Sequence, residues 1–503
     1  MVKTYILKYY LYLTIFILVL IGGCKKTETP DIVSDPIINN FAFLSEHNPG
    51  LNSNIYLTEI SGSITGRLPY KTDMKNLVAS FNSFGSNVTI GSSIQSSGIT
   101  PNDFTNILNY EVSNVSKDVK YDVDAILFTG LPIVELNIEN NSDIVSKEEY
   151  ISGESIVIGG RGFQNFEGEM KIRGRGHSTW GLHPKKPYQM KLDEKSEFLG
   201  MPEGKKWIFL AEYSDKTLIR TRLAFEMGYL SNLDWTPRCR YAEVFINNSY
   251  NGTYNITEKV EESSSRVNVG DDGYLLEIDT PDHLDEEDIY FNSYKFLYQI
   301  KEPSTTYNSP EYEYIVDYIE DFESALFGGN FKDPITGYRS YIDVESFVDW
   351  YLINEIAKNV DARAYSSIYL NLVPGEKLKM GPLWDFDLSF GNVDYADSQY
   401  TDGFWIKYNS YFTRLFQDPY FVSQVKDRFN FFNDKRDYFL EIIDTQQHKL
   451  RFAQEENDLR WDLYGNYVWP NPIYFETHIE EVNHLKMWMI DRFNWLEETF
   501  DNM

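Results

Sequence analysis

A β-sandwich followed by an α+β, two-lobed domain is the architecture this sequence predicts. Three observations lead there. The chain has 503 residues, more than one hydrophobic core serves, so several domains are expected. From about 38 to 127, short β-prone runs alternate with Gly, Ser, Asn and Pro, the pattern of an antiparallel sandwich. From about 128 to 305 strand-like runs dominate, whereas from Glu311 onward apolar residues recur at helical spacing. A hydrophobic content of 42% with 16% aromatics is that of folded material.

At the N-terminus, Lys3 and Lys8 precede the apolar run Leu11–Ile21 and then Ile21-Gly22-Gly23-Cys24. Residues 1–24 resemble a bacterial lipoprotein signal, which implies cleavage before Cys24 and lipid on its sulfur. The expected location is the cell envelope, anchored by that lipid on the periplasmic face or the cell surface. Residues 25–37 are polar and aperiodic and read as a tether. Cys239 is the only other cysteine, so no intramolecular disulfide is expected.

The sandwich, 38–127, is expected from runs such as Phe41–Leu44, Asn54–Ile60, Leu77–Phe81, Asn87–Ile90 and Lys120–Ile126. The second domain spans 128–503, with an N-lobe of about 128–305 and a C-lobe of about 306–503. Lys171–Leu192 reads as two strand ends around a Gly-rich turn. Ser214–Tyr229 reads as a helix capped by Ser214 or Asp215. Arg240–Ile246 and Thr253–Val260 read as strands around Asn251-Gly252. Gly273–Ile278 and Tyr298–Pro303 complete the lobe. Asp343–Lys358 has the spacing of an amphipathic helix. Ser367–Leu372 and Lys377–Leu383 form a hairpin through Pro374-Gly375. Further helices open at Asp418-Pro419 and span Tyr438–Asn457 and His478–Phe500.

Charge restricts the ligand. Seventy-six Asp and Glu against 46 Lys and Arg give −30, which excludes unassisted binding to nucleic acid. A phosphate-bearing ligand needs a local basic pocket and a metal ion. Basic residues do gather at Arg173-Gly174-Arg175-Gly176-His177-Ser178-Thr179, followed by Lys185, Lys186 and Lys191. Glycines let backbone N–H groups approach an anion, though the third Gly of G-x-G-x-x-G is replaced by Thr179. The acidic candidates are Asp361 and the pair Asp385 and Asp387. Their ordinary alternatives are a helix end for Asp361, turn caps for the pair, and a solvated face for the lysines. Hydrolysis at a carboxylate pair, as in glycosidases, leaves the basic turn without a task.

The order of parts matches kinase-type phosphoryl transfer: glycine turn, Lys, helix Glu, loop Asp, then an Asp in a D-F-x motif. ATP needs cationic offset, and Mg²⁺ prefers carboxylate and water, which Asp385 supplies. Asp361 is placed to receive the proton of an attacking hydroxyl. Ser366 lies where a protein kinase carries its metal-binding Asn.

From about 130 to 500 the chain resembles the CotH kinase family, the spore-coat CotH-like atypical protein kinases. The matching segments are Arg173–Trp180, Lys185–Leu192, Ser214–Leu218, Thr257–Val260, Asp349–Asp361 and Lys379–Asn392. The resemblance implies a kinase-like fold that moves the ATP γ-phosphate to Ser or Thr of proteins outside the cytoplasm. It implies ATP and Mg²⁺ or Mn²⁺, with Asp361 catalytic. Asp385 is then the metal ligand, assisted by Asp387 and Ser366. Arg173, Gly174, Gly176 and Ser178 would cover the phosphates. The ATP lysine is Lys186 or Lys191, and its partner is Glu226, with Glu258 as competitor. His177 departs from the Asn of that motif. The sandwich resembles the Ig-like modules of Bacteroidetes-type surface lipoproteins. The other reading is a catalytically inactive kinase-like surface protein that acts as a binding or attachment module.

Overall fold

A computed structural model describes residues 35–85 and 87–503. The chain divides between Ile126 and Leu127 into two compact units. The lipoprotein-like segment and Cys24 lie outside the described residues.

The first unit is all β: a three-stranded sheet around Ile37–Phe43 and a six-stranded sheet around Asp118–Leu127. The sheets pack through aromatic rings, Phe41 standing edge-on to Tyr110 at 5.3 Å and Phe43 to Phe104 at 4.8 Å. The run expected as one strand, Asn54–Ile60, is split. Ile55–Tyr56 joins the small sheet and Thr58–Ile60 the large one. Leu57 makes the corner, its N–H donating to Phe41 O at 2.9 Å.

The second unit starts as a closed seven-stranded barrel. Its strands are β1 (Ile133–Ile138), β2 (Ile151–Ile158), β3 (Phe166–Gly174), β4 (Tyr188–Phe198), β5 (Met201–Leu210), β6 (Cys239–Ile246) and β7 (Ser249–Glu258). Their order is β1-β2-β3-β4-β5-β7-β6, and a parallel pairing of β6 with β1 closes the ring. Strand alternation fills the interior with Met170, Ile172, Met190, Leu192, Trp207, Phe209 and Tyr254. Between β3 and β4 lies α1 (Ser178–Leu182), and after β5 comes α2 (Arg220–Tyr229).

A second core belongs to a five-stranded sheet and a set of helices. The sheet runs β9 (Tyr290–Asn292), β10 (Leu297–Glu302), β8 (Tyr274–Ile278), β11 (Ile368–Leu372), β12 (Lys379–Met380). It therefore joins residues from both sides of the lobe boundary expected near 305. β8 and β10 bury their apolar faces with the helices, in a core that Ile208, Cys239 and Tyr241 of the barrel also enter. Those helices are α3 (Pro310–Phe327), α4 (Val344–Ala357), α5 (Ser410–Leu415), α6 (Pro419–Asn433), α7 (Arg436–Lys449), α8 (Ala453–Trp461) and α9 (His478–Asp501).

Several local expectations are corrected. The helix expected over Ser214–Tyr229 begins only at Arg220, because the Asp215 carboxylate takes Thr217 N–H at 3.1 Å and Arg220 N–H at 2.8 Å. Those bonds fold 214–219 into a turn in which Leu218 has φ +61°. The β6–β7 turn uses Asn247 and Asn248, both at positive φ, and Gly252 lies inside β7. Tyr438–Asn457 is split between α7 and α8. Helix α4 is buried from Ser346 to Ala357 on every side, not along one stripe. Its polar residues are paired instead: Asp349 with Arg428, and Glu355 with Arg492 at 2.7 Å.

Candidate functional site

The end of α4 sets one wall. Asp343 caps its start, accepting Ser346 N–H at 2.8 Å, and Lys358 ends it in the left-handed region, φ +47°. The Lys358 ammonium donates to the carbonyls of Asp397, Tyr400 and Asp402 at 2.7–2.9 Å. Asn359, next in line, donates to Asp385 O at 3.1 Å. Asp361 opens a single helical turn, Asp361–Arg363. The hairpin β11–β12 then returns the chain to Asp385 and Asp387. Their loop is held by Asn392, which donates to Asp387 O at 2.7 Å and Ser214 O at 3.1 Å. Arg220, clamped on Asp215, donates to Ser389 O at 3.1 Å and ties the same loop to α2.

Glu212, Leu218, Ser367, Asp385 and Phe390 all hold left-handed backbone, with φ between +47° and +64°. For residues with a Cβ this costs about 1–3 kcal/mol each, and such strain concentrates at functional sites. Here it turns the Asp385 and Glu212 side chains into one cleft, lined also by Arg175, Thr179, Lys185, Leu210 and Asp387.

The electrostatics of the cleft are lopsided. Asp385 hydrogen-bonds to the carboxyl of Asp387 and to Ser367, and burial raises its pKa while Arg175 lowers it. Asp387 is pushed well above the carboxylate range by burial, then by Asp385, Glu212, Asp215 and Asp361. Glu212 is raised to about 8, by burial first and Asp215 next. Asp361 is raised to about 7, by burial first and then Asp385. A hydrogen bond between two carboxyls requires a proton on one of them. Among the described residues, the buried Asn359 Oδ1 has no hydrogen-bond partner, and Glu212 has only Asn255 and Thr221 beside it. A hard divalent cation fits this donor set, because it would replace the shared proton and relieve the repulsion. Among the described residues no three His, Cys, Asp or Glu side chains converge to hold a metal alone. Mg²⁺ does not need them, since it keeps waters and takes phosphate oxygens alongside one or two carboxylates.

The basic residues sort differently from the sequence expectation. Lys185 is the lysine in the cleft. Its Nζ donates to Thr253 O at 2.5 Å and Asn457 Oδ1 at 3.0 Å, over the Tyr254 ring. Burial pulls it down to about 7, while Glu243 and Glu212 favour its charge. Lys186 turns back to donate to Trp180 O at 2.5 Å. Lys191 is exposed on the outer face of β4. Glu226 pairs with Arg222 and accepts from Tyr438 at 3.2 Å, so it partners no lysine. Glu258 pairs with Arg238 at 2.8 Å. The carboxylates acting on Lys185 are Glu243 in β6 and Glu212, and only Glu212 lines the cleft.

Arg173 is held outside the cleft by Glu148 O at 3.3 Å and the Tyr150 ring. Arg175 is the arginine that faces Asp385, stacked over Trp384 at 5.4 Å. Ser178 is exposed at the start of α1. Ser367, not Ser366, hydrogen-bonds Asp385. A Cβ on Gly174 would enter the Trp180 ring, and Gly176 has φ +84°. Both glycines are therefore required by packing and turn geometry. Gly174→Ala is expected to displace Trp180 and cost about 1–3 kcal/mol, read as a lower denaturant midpoint. His177 stacks on His283 at 3.9 Å, and His283 Nδ1 lies 2.6 Å from Asp279 Oδ1, so the glycine turn meets the acidic loop beside Asp361.

The family model described as CotH kinase protein matches residues 172–496, more than half of the chain. The chain belongs to the CotH kinase family. The match takes in β3 through α9, and so both walls of the cleft. No curated protein matches this CotH family member. One matching solved structure, from Bacteroides thetaiotaomicron and described as a "putative glycoside hydrolase", shares 14% identity. It covers 58% of this chain and 88% of its own, with a TM-score of 0.16, which supports no argument about fold or activity.

Proposed function

We propose that this CotH family member is an exported kinase that moves the ATP γ-phosphate to Ser or Thr hydroxyls of extracytoplasmic proteins. Lipid on Cys24 would hold it at a membrane. Among the described residues no helix is long and apolar enough to cross one. The observation that carries the reading is the geometry of three aspartates: Asp385 and Asp387 paired and calling for a cation, with Asp361 beside them and raised to about 7. A base near the working pH accepts a hydroxyl proton efficiently. Mg²⁺ or Mn²⁺, when bound by Asp385 and Asp387, would offset the charge of the phosphates. Arg175 stands against Asp385 and is placed to add to that offset. The acceptor oxygen forms the new P–O bond, the bond from the γ-phosphorus to the ADP oxygen breaks, and Asp361 takes the proton.

Purified protein with γ-labelled ATP, Mg²⁺ or Mn²⁺ and a panel of envelope proteins tests this. Label transfer that survives Asp385→Asn would remove these residues from the reaction. Absence of ATP–Mg²⁺ binding in calorimetry at millimolar nucleotide would favour the binding-module reading.

The raised carboxyls also predict a pH effect on stability. The folded state binds protons more tightly than the unfolded chain at Asp361, Asp385, Asp387 and Glu212. Metal-free protein should therefore lose stability as pH rises from the ordinary carboxylate range to about 8. Lys185, held near 7, acts in the opposite sense above that value. Added Mg²⁺ should raise the thermal midpoint more at pH 8 than at pH 5. Equal shifts at both would show that the carboxyls are not its ligands.

A further inference from the structure

The outer face of the barrel carries a feature the cleft does not use. Strand register sets Lys171 of β3 opposite Lys191 of β4, and Lys191 opposite Lys206 of β5. Beyond Lys206, the Trp207–Glu258 pair puts Lys259 one step past the end of β7. Burial pulls Lys259 down to about 8, and Lys206 is the charge that adds most to that shift. Alternation turns Lys171, Lys191 and Lys206 outward, because Met170, Met190 and Trp207 beside them fill the interior. Adjacent strands stand about 4.8 Å apart, and like charges directly opposite are destabilising.

The chain has 76 acidic residues for 46 basic ones, so counter-ions were in ample supply. Lys206 has one, Glu261 at 3.1 Å. Among the described residues, the ammonium groups of Lys171, Lys191 and Lys259 make no ion pair or hydrogen bond. Lys206, Lys301 and Arg175 place positive charge around Lys259, Glu261 and Glu302 place negative charge there, and Arg175 faces Asp385. The row thus runs from the exposed Lys171 and Lys191 through the half-buried Lys206 and Lys259, which stands within the electrostatic reach of the cleft residue Arg175. Glu154 opposite Glu169 bounds it on one side, which makes it a stripe and not a basic face.

We propose that this lysine row docks a polyanionic stretch of the acceptor polypeptide, a run of carboxylates or phosphates, and leads it toward the cleft. The acceptor class rests on the proposed transfer reaction; the binding surface does not. Phosphates installed by the transfer are themselves ligands for the row, so a hydroxyl-rich acceptor is held better as it is modified.

Fluorescence anisotropy with the full chain tests the assignment. The probes are an oligophosphoserine peptide, an oligoglutamate of the same length, the unphosphorylated serine peptide and a single-stranded DNA of equal charge. The phosphopeptide should bind, lose affinity steeply with salt, and weaken about tenfold or more in K171E/K191E. The variant's thermal midpoint should stay close to that of the wild type, because the 171–191 pair remains like-charged while the 191–206 pair becomes opposite-charged. The oligoglutamate separates carboxylate from phosphate recognition. Equal binding by variant and wild type, equal binding of the neutral peptide, or tighter binding of the DNA would overturn the proposal. None of these readouts needs turnover. An inactive chain that binds the phosphopeptide through the row sinks the transfer reaction alone. An active chain whose binding ignores K171E/K191E sinks the row alone.

Discussion

Replacing Asp361 with Asn is expected to lower kcat for phosphate transfer by about 10²–10⁴-fold, the usual contribution of a positioned general base. The substitution keeps size and hydrogen bonding but removes the proton acceptor. Nucleotide affinity should change little, because the phosphates and metal are assigned to Asp385, Asp387 and Arg175. The pH profile supplies a sharper check. Burial raises the Asp361 carboxyl, to about 7 without metal, and a cation on Asp385 would draw it down; only the deprotonated form accepts a proton, so kcat/KM of the wild type should climb as pH rises toward 7. The variant's residual rate should lose that limb. A profile that keeps its limb near 7 in Asp361→Asn would assign the proton to another group, and the imidazole of His283, held by Asp279, is the neighbour to test next.

Arg492→Met should be the most damaging single change to the second unit, at about 3–5 kcal/mol. Arg492 is fully buried and donates to the Glu355 carboxylate at 2.7 Å, to Glu355 O, and to the carbonyls of Thr401 and Gly403 at 2.8 Å. Glu355 also accepts the N–H groups of Trp405 and Lys407 at 2.7 and 2.9 Å. Removing the guanidinium leaves a buried carboxylate uncompensated and releases the loop that Lys358 also holds. Urea unfolding followed by tryptophan fluorescence measures the loss. Replacing both partners, Glu355→Met with Arg492→Met, should recover part of it, because no buried charge is then stranded. A double variant as unstable as the single one would place the cost in the loop carbonyls.

Both predictions concern the stretch from Glu355 to Asn392, and that stretch shows where sequence reading succeeds. Helix α4, the hairpin β11–β12 and the Asp418-Pro419 start of α6 are local features. Apolar spacing, a capping carboxylate and a Pro-Gly turn fix them without help from distant residues. Reading α4 as one-sided failed for a related reason. Periodicity records which residues are apolar, and only burial by the surrounding elements shows that Asp349 and Glu355 meet arginines from α6 and α9.

The cationic half of the site was not legible. Lys185 and Lys186 are adjacent and chemically equal. The chain turns at Pro187 into β4, which sends Lys185 to Thr253 and Asn457 and folds Lys186 back on Trp180. Arg173 and Arg175 are two residues apart, yet β3 ends at Gly174 between them, so only Arg175 reaches Asp385. Glu226 had the right position in a helix, but its carboxylate is taken by Arg222 one turn earlier. Glu212 owes its place to a left-handed backbone at a strand end, which no residue pattern announces.

By itself the sequence determined the CotH family, the order of elements, and the three aspartates on which the proposed chemistry turns. Each of these is carried by residue type and short-range spacing. Tertiary structure alone decided which lysine, arginine and glutamate face those aspartates, and that three lysines stand abreast outside the barrel. Barrel closure and strand register bring together residues far apart in sequence, and no local energetic preference encodes that pairing.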